Sequence, residues 1–336
     1  MKDIMINRRR FIGTLACVGG ALALPGVARA MTQAQTVLPL DAAAFHGMRR
    51  FAKTPFGEIA YVERGTGAAA LFLHGFPLNG FQWRGALPRL SPYRRCIAPD
   101  FLGMGFTRVA DGQGVGPDDQ VAMLVALLDE LGVTAADVVA NDSGGAVAQL
   151  LMLRHPDRVR SVLLTNCDTE IESPPSAMLP VIALARQGKY VGEWLAPWWK
   201  DKALARSSKG IGAMCYADPS HPDDEAIDMY FGPLLSTRRR TALADAYAVA
   251  LERNALSGTE SALQHTRIPV RVVWGRADTI FSPKNADYLD YACGGSRGIR
   301  WLEGSKLFWP EERPDVIAEE ALRLWNARSS EAEIAS

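Results

Sequence analysis

Apolar residues along this chain fall into two alternating patterns. Short continuous runs, such as Ala69-Ala70-Leu71-Phe72-Leu73, suit strands buried on both faces. Comparable strand-length segments are Glu58 to Arg64, Cys96 to Ala98, Asp137 to Ala140, Val159 to Thr165, Val270 to Trp274 and Ile299 to Leu302. Between them lie stretches with apolar residues at helical spacing. These are Val121 to Leu131, Gly144 to Arg154 and a closing amphipathic helix from Pro314 to Trp325. Strands alternating with helices predict an α/β fold with a mostly parallel, doubly wound sheet. The alternation stops over residues 171–264. That region opens on Ser173-Pro174-Pro175, holds Trp194, Trp198, Trp199, Tyr216, Tyr230 and Phe231, and has no clear strand. It is expected to form a helical cap inserted after the sixth strand, over the carboxyl ends of the strands, where open α/β sheets bind ligands. The core then comprises residues 31–170 and 265–336.

The first 30 residues fit neither pattern. Asn7-Arg8-Arg9-Arg10-Phe11-Ile12-Gly13 resembles a twin-arginine signature, an apolar run from Phe11 to Leu24 follows, and Ala28-Arg29-Ala30 offers a cleavage site. This predicts a Tat-type signal and a periplasmic or secreted protein. The apolar run is shorter than the roughly 20 residues of a membrane span, so no stable insertion is expected. The chain carries 37 basic and 37 acidic residues; cleavage removes five basic and one acidic, leaving 32 and 36, a net charge of −4. That balance argues against nucleic acid or an acidic membrane surface as partner. Cys96, Cys167, Cys215 and Cys293 show no framework spacing and are read as buried thiols. No CxxC or Cys/His cluster points to a metal, and no cofactor is expected. Oligomeric state is not legible.

The segment Val138-Val139-Ala140-Asn141-Asp142-Ser143-Gly144-Gly145 reads as a strand turning sharply into a helix. Such an elbow presents one side chain clear of the sheet, and residues two before and two after it must be small. Asp142 has Ala140 and Gly144 at those positions; Ser143 would have Asn141 and Gly145. Steric register therefore favours Asp142.

With His74-Gly75-Phe76-Pro77, Asp100-Phe101-Leu102-Gly103-Met104-Gly105, the Asp142 elbow and Trp274-Gly275-Arg276-Ala277-Asp278 in this order, the chain resembles the α/β-hydrolase superfamily, in its haloalkane dehalogenase and epoxide hydrolase branch. The resemblance implies a nucleophilic Asp142 that forms an ester with an sp³ carbon. It implies an oxyanion hole from the Phe76 and Ser143 backbone N–H groups. Asp278 matches the acid that orients the base histidine, and His74 matches a histidine that shapes the oxyanion loop. The attacking carboxylate is expected to be ionised at neutral pH without a base.

The chain departs from the family at the base. After the last strand it reads Gly304-Ser305-Lys306-Leu307-Phe308-Trp309-Pro310-Glu311-Glu312, with Leu307 where the family carries histidine, and no histidine follows His265. His221 in the cap is the one histidine expected within reach of the pocket, and Asn166 is a candidate polar pocket residue. The primary expectation is a hydrolase acting through Asp142 on a small apolar electrophile such as a haloalkane or epoxide, slow for want of a base. The alternatives are a lyase or small-molecule-binding protein on the same fold, and a serine esterase through Ser143.

Overall fold

The computed structural model describes residues 37–334, with side chains through residue 326. The signal-like segment lies outside these residues. Nine strands form one sheet: β1 (Arg49–Thr54), β2 (Gly57–Arg64), β3 (Ala69–Leu73), β4 (Arg95–Pro99), β5 (Arg108–Val109), β6 (Ala136–Asp142), β7 (Val159–Cys167), β8 (Val270–Gly275) and β9 (Ser296–Leu302). The order is β1-β2-β4-β3-β6-β7-β8-β9, with β5 beside β2. β2 runs antiparallel to both β1 and β4, and every pairing from β4 through β3, β6, β7 and β8 to β9 is parallel. The all-apolar runs occupy the middle: each residue of β3 and of β6 is buried. Helices on both faces can cover such strands.

Two strands were not foreseen. β1 is a polar edge strand in which Ala52 alone is buried, so its hydrophobic signal is weak. β5 has two residues, too few for any periodicity. The closing helix also extends further than its apolar spacing, to Ile334.

Between β7 and β8, and so after the seventh strand where the sixth was expected, the chain forms a series of helices, from Met178–Ala185 to Glu260–His265. Among the described residues, no helix is long and apolar enough to cross a membrane. Cys96, Cys167, Cys215 and Cys293 are buried free thiols.

Parallel pairing brings the carboxyl ends of β3, β6, β7, β8 and β9 to one edge of the sheet. His74-Gly75-Phe76, Asp142, Asp168, Asp278 and Leu307 all follow or end those strands.

Candidate active site

Asp142 ends β6 at a register shift, where Asn141 faces Thr165 but Asp142 faces Cys167. This irregularity lifts the residue out of the ladder. Its backbone sits at φ 55°, ψ −133°, and it is the one non-glycine residue with positive φ among the described residues. Holding such a conformation costs of order 1–3 kcal/mol, and the surrounding packing imposes it. A Cβ on Gly144 would lie 2.6 Å from the His74 carbonyl oxygen, and one on Gly75 would lie 2.7 Å from the Asp142 Cβ. The helix Ser143–Arg154 therefore starts flush against the end of β3. Gly145 is equally constrained, because its Cβ would strike the Cys167 side chain at 2.3 Å.

The Asp142 carboxylate accepts two backbone hydrogen bonds. Ser143 N–H donates to Oδ1 at 2.6 Å and Phe76 N–H donates to Oδ2 at 3.2 Å. The pair of backbone donors thus meets the carboxyl group, though on different oxygens. The Ser143 hydroxyl pairs with the Tyr247 hydroxyl at 3.2 Å. The Phe76 ring stacks on Tyr247, with centroids 5.4 Å apart and planes within 7°.

A cavity of about 100 Å³ opens over this carboxyl group. Its wall includes Phe76, Tyr190, Trp194, Trp198 and Leu307, and no lysine, arginine or histidine lines it. Tyr190, Trp194 and Trp198 recur every fourth residue, so a helical segment presents all three rings to one side. That spacing was visible in the sequence but was not read as a pocket wall. Successive centroids run Phe76–Tyr190 5.5 Å, Tyr190–Trp194 6.1 Å and Trp194–Trp198 5.8 Å.

None of the five histidines in the sequence lines the cavity. His74 is fully buried, with Nδ1 2.8 Å from the Gly75 carbonyl oxygen and Nε2 accepting from Phe101 N–H at 3.0 Å. Burial lowers its pKa to about 4, so it is a neutral structural group. His221 stacks on Tyr216 and faces the Ser220 hydroxyl, away from the cavity wall. His265 is exposed and contacts the Ser261 carbonyl. Lys306 donates to the Ala213 carbonyl in the cap at 2.6 Å.

Asn166 does not line the cavity either, because its amide is fully engaged behind it. Its Nδ2 donates to Asp278 Oδ2 at 2.7 Å and to the Gly275 carbonyl at 3.1 Å. Its Oδ1 accepts from Gly275 N–H at 2.7 Å and Trp309 Nε1–H at 3.0 Å. Asn166 is thus the partner of Asp278, whose other oxygen accepts from Ile280 N–H at 2.8 Å. Asn141 anchors the neighbouring loop by donating to the Leu307 carbonyl at 3.1 Å.

Three buried carboxyl groups share this edge. Burial raises the pKa of Asp278 to about 6 and that of Asp168 to about 7. Asp142 is raised well above the usual carboxylate range, first by burial and then by repulsion from Asp168 and Asp278, against its two backbone hydrogen bonds. This direction runs against the expectation of a fully ionised Asp142, because burial penalises the charged form and no cationic side chain lines the cavity to offset it. Asp168 was not recognised in the sequence; its place directly after the end of β7 is the signal that marks it.

The fold and this edge define a known class. Residues 70–304 match the family of the α/β hydrolase fold, and the chain belongs to that family. It is a hydrolase of this superfamily, similar in sequence to haloalkane dehalogenases. Haloalkane dehalogenase 2 of Mycobacterium tuberculosis is 28% identical over 276 residues, 78% of this chain and 89% of that protein. Two solved structures share the fold. A thermophilic esterase from Thermogutta terrifontis aligns with TM-score 0.67 and 20% identity over 83% of this chain and 98% of the other. An epoxide hydrolase solved without ligand aligns with TM-score 0.68 and 20% identity over the same shares.

Proposed function

We propose that this hydrolase attacks a small apolar electrophile, of haloalkane or epoxide type, through Asp142. A carboxylate oxygen bonds to the sp³ carbon while the leaving group departs with its electron pair, giving an ester. Water then adds to the ester carbonyl carbon, the bond from that carbon to the alkyl oxygen breaks, and the product leaves as an alcohol while Asp142 regains its carboxyl group. The observation that carries this reading is the strained Asp142, whose carboxyl group meets two backbone donors beneath an otherwise apolar cavity. For those donors to act together on one oxyanion, the carboxyl group must rotate as the ester forms.

The attacking species is the carboxylate, and burial and neighbouring acids hold Asp142 protonated above the usual range. Ester formation should therefore speed up as pH rises. Hydrolysis of the ester is the slow half, because Leu307 occupies the position at which the family carries its base.

Intact-mass analysis after exposure to 1-haloalkanes, terminal epoxides and activated esters tests the proposal. The expected result is an adduct on Asp142 that accumulates faster at alkaline pH and is absent from Asp142→Asn. Unchanged hydrolysis by that variant would falsify the proposal. An Asp142 adduct that never turns over would instead favour a protein that captures its ligand, the reading motivated by Leu307.

A further inference from the structure

The cavity combines buried acids, aromatic faces and no base. Asp142 is its one acidic lining residue, and Asp168 and Asp278 stand close enough behind it to repel its charge. The Tyr190, Trp194 and Trp198 rings line the same cavity, with Phe76 beside Tyr190. The Tyr190 side chain is buried at 2% exposure, and among the described residues nothing hydrogen-bonds its hydroxyl. It therefore brings an unused acceptor to the same wall.

These features ask for positive charge on the ligand. An uncharged ligand deepens the burial of Asp142 and favours its protonated form, whereas a cation stabilises the carboxylate by supplying the charge that no lining side chain provides. Among the described residues, no three carboxylate, thiol or histidine groups converge to hold a metal ion. A primary ammonium would need three acceptors to replace its hydration. A quaternary or tertiary ammonium is weakly hydrated and gains from the negative faces of tryptophan and tyrosine.

We propose that the cavity over Asp142 takes a small organic cation, with an alkylammonium group seated against Tyr190, Trp194 and Trp198 and the Asp142 carboxylate as counter-ion. This rests on the reading of the cavity as the reaction site, but not on ester formation there. If the ester forms, the favoured electrophile carries an ammonium group near its reactive carbon.

Calorimetric titration of the protein at pH 8 with choline and with its uncharged isostere, 3,3-dimethylbutan-1-ol, provides the test. Choline should bind at least about 10-fold more tightly. Asp142→Asn should bring the two ligands within about two-fold of each other, and Trp198→Leu should weaken choline more than the alcohol. Equal affinities in the unaltered protein, tighter binding of the alcohol, or no binding of either would overturn the proposal. Neither ligand alkylates, so these outcomes are independent of whether an Asp142 ester is found.

Discussion

Two of the buried polar clusters among the described residues solve the problem of buried charge in opposite ways. Where the loop after β9 meets the cap, Arg84 pairs with Glu311 and reaches Asp223 at 3.1 Å. Tyr216 and Tyr230 hydroxyls donate to Glu311 at 2.5 and 2.8 Å, and Arg84 donates to Tyr230 at 3.2 Å. Each charge there has an opposite charge and hydrogen bonds. At the elbow, Asp142, Asp168 and Asp278 are all buried, and each carboxyl pKa is raised. The first cluster is finished without a ligand; the second is left incomplete. A compensated buried pair holds elements in place, while an uncompensated charge stores reactivity or binding at a cost in stability.

The largest change should come from supplying the incomplete cluster with a base. Leu307→His puts a titratable group on the cavity wall. Restoring a general base is worth about 10²–10⁴-fold, so release of an Asp142 ester should accelerate by roughly that range. Decay of the adduct mass after removal of excess reagent measures it. An unchanged lifetime would show that Leu307 is not what limits hydrolysis.

Next in size is damage to the complete cluster. Glu311→Gln leaves Arg84 buried with Asp223 as its one remaining carboxylate. Breaking one side of a buried pair costs about 3–5 kcal/mol, and Asp223 should keep the loss near the lower end. Urea unfolding gives the value. Because the loop carrying Glu311 also carries Leu307 and Phe308 into the cavity wall, ligand affinity should fall with it. A loss below about 1 kcal/mol would remove the distinction between the clusters.

The acidic cluster should instead reveal itself through pH. Unfolded aspartates titrate near 3.9. At pH 5 to 6 the native state retains protons on Asp278 and Asp168 that the unfolded chain has released. Stability from these groups is therefore full below about pH 4 and is lost as pH rises through about 6 and then 7. His74, held at about 4, has the opposite effect, but only between pH 4 and about 6.5. The fall should be clearest between pH 6.5 and 8. An amide has the shape of a protonated carboxyl group but does not titrate in this range. Asp168→Asn should thus flatten the melting temperature across that window. An unaltered slope would show that Asp168 is not the group titrating there.

The contrast also explains what was legible in the sequence. Fully apolar β3 and the elbow after β6 could be read because their signals are local, a continuous run and small residues at fixed offsets. β1 could not, since an edge strand with one buried residue carries little pattern. The Arg84–Glu311 pair joins residues 227 apart, and nothing near either one announces the other. Asn166 was assigned to the pocket because it directly follows the expected strand Val159 to Thr165, but whether a side chain faces the cavity or the Asp278 loop depends on tertiary packing. The same limit hid the charge balance: acids can be counted along a chain, but their mutual repulsion depends on which strand ends become neighbours.

The smallest predicted effect bears on the identity of the nucleophile. Ser143 and Asp142 are adjacent at the elbow, yet their side chains have different partners. The Ser143 hydroxyl contacts Tyr247, whose own pKa is raised by burial, and among the described residues no histidine hydrogen-bonds to either group. Ser143→Ala removes this hydrogen bond and retains the Ser143 N–H that donates to Asp142. It should cost about 0.5–1.5 kcal/mol of stability and leave ester formation on Asp142 within a few-fold of the original rate. Labelling by a fluorophosphonate probe should be absent both before and after the substitution. Labelling that Ser143→Ala abolishes would transfer the chemistry from the acidic cluster to its neighbour, because a serine nucleophile needs proton removal and Asp142 would then be the nearest group able to accept it.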